Sequence, residues 1–117
     1  MSRVALVVFV AYAVFVAWAS LSTPAEVPPV GPYDKLVHLG VYGLFAVLGW
    51  GLRLGRGQYV FLCLGLVAYG AAMEFGQSFV PGRMMSGMDM VANAAGIAIG
   101  AVSCLLPGIY REQRGEQ

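Results

Sequence analysis

Glu74 stands deep in an apolar run with Gln77 three residues on, and Asp89 and Asn93 follow four apart in the next run. A carboxylate inside a membrane span is disfavoured by about 2.5–3.5 kcal/mol on insertion scales, so it points to a functional site with a partner close by. Candidate partners come earlier in the chain, where Asp34, His38 and Tyr42 repeat every fourth residue and fall on one helix face. In this set Glu74 reads as a buried acid or base and His38 as its proton partner. Arg83, in a Pro-Gly turn, and Lys35 read as holders of an anion. Asp34, Tyr42, Gln77, Asp89 and Asn93 read as orienting or ligand-binding groups.

Each of these residues also has an ordinary reading. Asp34 and Asp89 stand where helix N-termini should begin, and a carboxylate there satisfies free amides and the macrodipole. His38, Gln77 and Asn93 could be interhelical hydrogen-bonding groups, worth about 0.6 kcal/mol apiece in a membrane. Glu74 is harder to explain as glue, because a glutamine would serve at lower desolvation cost. Asp34, His38, Glu74 and Asp89 are types that ligate divalent metals, but no H-E-x-x-H or comparable spacing occurs, so neither metal nor cofactor is expected.

The elements that must position these groups follow from composition. With 59% hydrophobic and 11% charged residues, the 117-residue chain has too little charge to cover a soluble domain and belongs in a bilayer. Its net charge of +1, without basic runs, excludes nucleic acid as a partner. Four apolar runs, about 4–21, 36–54, 59–79 and 88–106, predict an all-α, four-transmembrane-helix bundle forming one domain over 1–117. Pro24, Pro28, Pro29 and Pro32 mark the first connection, Pro81-Gly82 the third, and Pro107-Gly108 the end of the fourth helix before a polar tail over 110–117. Gly87 suggests a mobile turn before that helix. Cys63 and Cys104 lack metal-ligand spacing and read as small packing residues.

Arg3, Arg53, Arg56, Arg111 and Arg114 flank one side of the predicted bundle, Lys35 and Arg83 the other. The positive-inside rule then places both termini in the cytoplasm. A competing reading takes Ala17-Trp18-Ala19 as a signal-peptide cleavage site, which would leave three spans, although the run is long for a signal peptide. At 1.5 Å per residue, Glu74 lies roughly 22 Å from the inner edge of the core, and His38 and Asn93 roughly 6 and 8 Å below the outer surface. All three share an outer-leaflet layer. Below Asn93, and following Ala92, Gly96 and Gly100 form a G-x-x-x-G stripe on which another helix can approach closely. The methionines Met84, Met85, Met88 and Met90 offer an adaptable apolar wall beside the turn, or a lipid anchor.

The ordered set Asp34-Lys35, His38, Tyr42, Glu74, Gln77, Pro81-Gly82-Arg83, Asp89, Asn93 and Gly96 resembles the VanZ-like family of small bacterial membrane proteins, over residues 34–105. The family is named after a teicoplanin-resistance protein. The resemblance implies a bacterial cytoplasmic-membrane location and an association with glycopeptide susceptibility, but no particular reaction.

Three classes of function stay open. The leading expectation is an outer-leaflet site that recognises an anionic or lipid-linked envelope molecule, such as a membrane lipid or lipid-linked precursor. The second is an enzyme that hydrolyses or transfers a lipid head-group phosphate with the same residues, with or without a divalent metal on Asp34, His38, Glu74 and Asp89. The third is a structural or homo-oligomerising protein without a ligand. Transport is disfavoured, because the inner halves of the spans hold almost no polar residues.

Overall fold

The structure, a computed structural model, describes residues 2–27, 31–84, 86–113 and 115, with only the backbone of 109–113. Pro28, Pro29, Met85, Arg114 and the side chain of Arg111 lie outside these residues. Four α-helices form: α1 (Arg3–Leu21), α2 (Asp34–Trp50), α3 (Arg56–Gln77) and α4 (Gly87–Gln113). A 3-10 turn, Gly31–Tyr33, leads into α2, and no strand occurs among the described residues.

Among the described residues, three helices are long and apolar enough to cross a membrane: Arg3–Leu21, Arg56–Gln77 and the Gly87–Gly108 part of α4. The second helix is shorter than expected. It stops at Trp50, not near Leu54, and its 17 residues span about 25 Å against a hydrocarbon core of about 30 Å. Gly49 and Gly51 weaken its last turn, and Arg53, at φ 58°, adopts a left-handed conformation that a helix cannot continue through. The fourth helix is longer than expected. It runs through Pro107 to Gln113, so residues 110–113 are helical and not a polar tail. Proline removes one hydrogen-bond donor, a loss that membrane helices tolerate.

The short α2 is the centre of the bundle and packs on each of the other three helices, most extensively on α4. Small residues permit this. A Cβ added to Gly96 would collide with the Leu39 carbonyl oxygen, and one added to Gly100 would lie 2.6 Å from the carbonyl oxygen of Gly43. The G-x-x-x-G stripe is therefore used within the chain, against α2.

Phe45 and Ala46 of α2 are fully buried among Val16, Tyr42, Tyr59, Cys63, Leu66 and Ile97. The Phe45 ring meets those of Phe9, Tyr12, Tyr42 and Tyr69 at centroid distances of 4.8–5.6 Å. Tyrosine hydroxyls in such a core must donate to something. Tyr12 donates to the Val41 carbonyl, Tyr69 to that of Ala13, and Tyr59 to that of Ala46 at 2.7 Å. These bonds tie α1 to α2, α3 to α1 and α3 to α2. The outer faces of the helices carry exposed Val7, Val14, Phe61, Leu64, Phe75, Val91 and Val102, as expected of surfaces that meet lipid.

Candidate functional site

The polar residues converge at one end of the bundle, where α2 and α4 begin and α3 stops. Asp34, Lys35, His38 and Tyr42 come from the first turns of α2, Asp89 and Asn93 from those of α4, and Glu74 and Gln77 from the last turn of α3. Glu74 is 1% exposed, Asn93 2% and Asp89 6%, so these three are interior to the bundle, whereas Asp34 and Lys35 are half-exposed at its end. The shared depth expected of His38 and Asn93 is met by a direct contact, His38 Nδ1 to Asn93 Oδ1 at 2.9 Å. An amide oxygen only accepts, so Nδ1 is the donor in this bond, and Nε2 is the ring nitrogen on the side of the carboxylates.

The start of α4 explains how the carboxylates divide their partners. Ser86 precedes the helix, and its hydroxyl accepts from the Asp89 N–H at 3.4 Å, half of the capping box that S-x-x-D signals. In the complete box the acid at the third helical position would accept the N–H of the capping residue. Here Glu74 of α3 takes that bond instead, from Ser86 N–H to Oε1 at 2.5 Å. Asp89 is thereby released for α2. One oxygen bonds the Lys35 ammonium, and the other stands 3.7 Å from His38 Nε2. Asp34 mirrors it, 3.4 Å from Lys35 Nζ and 3.6 Å from His38 Nε2. Asp34 therefore faces the cluster, and Tyr33, which caps α2, makes no side-chain cap bond.

Arg83 lies in the turn above the layer, as its place in the sequence implied, but its described bonds run to α1 and not to the carboxylates. Its guanidinium donates to the carbonyls of Ser22 and Ala19 (3.4 Å), acceptors that α1 leaves unpaired as it ends, and to that of Val27 (3.3 Å) in the connection beyond. Replacing Arg83 with Met is expected to loosen the end of α1 by about 1–2 kcal/mol. Faster proteolysis between residues 22 and 33 in detergent would register this, and unchanged cleavage would contradict it.

Beside the cluster, between α1 and α2, runs a groove of about 150 Å³. Phe15, Val16, Val37 and Val41 form its walls, while Asp34, His38, Gln77 and Arg83 gather polar atoms along it. Two contributors have no polar signature at the level of the sequence. The α1 wall belongs to a run that is apolar on every side. Ser86 meets Glu74 through its backbone N–H, which no residue type marks.

Apolar helices of spanning length around a buried polar cluster define a small helical membrane protein. The VanZ/LLP1 family profile matches residues 1–108, and the chain belongs to that family. The match includes α1, which the resemblance over residues 34–105 had left out. No curated protein and no solved structure matches the chain.

Proposed function

We propose that this protein recognises an anionic or lipid-linked molecule of the bacterial cell envelope, with the head group at the α2–α3–α4 cluster and hydrocarbon along the α1–α2 groove. The observation that carries this reading is the groove itself, apolar along Phe15, Val16, Val37 and Val41 and polar at Asp34, His38, Gln77 and Arg83. An amphipathic ligand satisfies both parts, whereas a water-soluble one would leave the walls without a partner. At about 150 Å³ the groove takes a head-group fragment or a few methylenes, and the rest of the chain would lie against exposed Phe15 in lipid. Lys35 and Arg83 face the anion, Glu74 is the buried acid or base with His38 as its proton partner, and Tyr42, Gln77, Asp89 and Asn93 set their positions.

In this reading α2 completes a four-span bundle in the cytoplasmic membrane, both termini are cytoplasmic, and the cluster lies in the outer leaflet. Glycopeptide drugs act on that face, so altered teicoplanin susceptibility is the phenotype to examine. Native mass spectrometry of the detergent-extracted protein tests the proposal. Val41→Trp, which fills the groove, should lose most of the lipid that the parent retains. Equal lipid retention by both would sink the reading.

A further inference from the structure

We infer that Asp34, His38 and Asp89 form an open binding site for a divalent first-row cation, Mn²⁺ or Zn²⁺. One ligand atom from each of these residues lies within 4.8 Å of the other two. The spacing has a meaning: two ligand atoms about 2.1 Å from one ion and about 110–120° apart stand about 3.4–3.6 Å from each other. His38 Nε2 is 3.6 Å from an Asp34 oxygen and 3.7 Å from an Asp89 oxygen.

The imidazole is also prepared for the role. Its Nδ1–H is held by Asn93 at 2.9 Å, which fixes the ring and turns Nε2 toward the carboxylates, as outer partners of metal-bound histidines do. Furthermore, the two carboxylates already hold a cation, the Lys35 ammonium, which bonds Asp89 and lies 3.4 Å from Asp34. Lys35 thus sets one positive charge against the two carboxylates. Lys35 is exposed at its side chain (48%) and can swing outward when a divalent ion enters. One imidazole with two carboxylates suits Mn²⁺ or Zn²⁺ better than a thiolate-seeking ion. Glu74 is not among the residues whose ligand atoms lie within 4.8 Å of one another, and one of its oxygens accepts the Ser86 N–H. Asp34 and His38 line the groove, so the ion's open positions face it. Completion of its shell by a head-group oxygen is the one step that rests on the reading above.

The test is Mn²⁺ titration of the full chain in detergent after chelation, followed by electron paramagnetic resonance, with Zn²⁺ as competitor. The parent should bind one Mn²⁺ and release it to Zn²⁺. His38→Gln should weaken binding by at least about tenfold. Lys35→Met, which removes the competing charge, should tighten it by about tenfold. If His38→Gln fails to fold, Asp34→Asn, at the more exposed ligand, carries the same expectation. No Mn²⁺ or Zn²⁺ binding below millimolar concentration, or a Lys35→Met variant that binds no better than the parent, would overturn the site and leave an ion pair only. Val41→Trp should keep its Mn²⁺ while losing lipid, so failure of the metal site and failure of the lipid reading give different results.

Discussion

Gly96→Ala is expected to destabilise the protein by about 3 kcal/mol or more, the upper range for overpacking, because the added methyl strikes backbone and not a side chain that can turn away. The Cβ would collide with the Leu39 carbonyl oxygen and lie 3.1 Å from the Gly43 nitrogen. No rotamer of α2 relieves that contact, so the two helices must separate. Gly40→Ala and Gly65→Ala are the controls, since a Cβ at either position has no atom within 4 Å. On helix propensity alone those changes should be neutral or stabilising by up to about 1 kcal/mol. The same substitution thus takes opposite signs at different helical glycines. Separation of α2 from α4 would also stretch the His38–Asn93 and Lys35–Asp89 bonds, so Gly96→Ala should lose ligand together with stability. Thermal unfolding in detergent, followed by circular dichroism, measures it. A Gly96→Ala protein that melts with the parent would refute the close α2–α4 packing.

The polar layer was readable in the sequence because polar residues are rare in these runs and helical spacing puts them on faces. Asp34, His38 and Tyr42 at every fourth position, with Asn93 at matching depth, were enough to bring α2 and α4 together at one end. The apolar runs gave the helices for the same reason, since a chain in lipid has to satisfy its backbone internally. Three features were less legible. α1 is apolar on every side, so nothing marks Phe9, Tyr12 and Val16 as the buried face and Val7 and Val14 as the lipid face. The acceptors that capture Arg83 are backbone carbonyls at the end of α1 and in the connection after it, and carbonyls have no residue type. At Pro107, a boundary signal that is reliable in water failed because the helix could lose one donor without ending.

Glu74 is the residue whose two substitutions should differ most. Its carboxylate is buried and accepts the Ser86 N–H at 2.5 Å, with Asp89, His38 and Lys35 within electrostatic reach. Glu74→Leu keeps the volume but leaves that N–H facing a hydrocarbon side chain. The lost charge-assisted bond and the orphaned donor together should cost about 3 kcal/mol, felt first in the turn that starts α4. Asp89 should then complete its own capping box by accepting the Ser86 N–H, which draws it away from Lys35 and His38. The variant would lose the cluster even where the helices persist. Glu74→Gln keeps an acceptor oxygen at the same reach and removes only the charge and the proton-accepting capacity. It should fold within about 1 kcal/mol of the parent, as expected for a substitution that preserves the hydrogen bond. Thermal unfolding, together with lipid retention by native mass spectrometry, separates the two effects. Retained folding with lost lipid in Glu74→Gln assigns the carboxylate's charge to ligand recognition. Equal destabilisation of Gln and Leu would assign that charge to the packing of α3 on α4 and remove Glu74 from the recognition site.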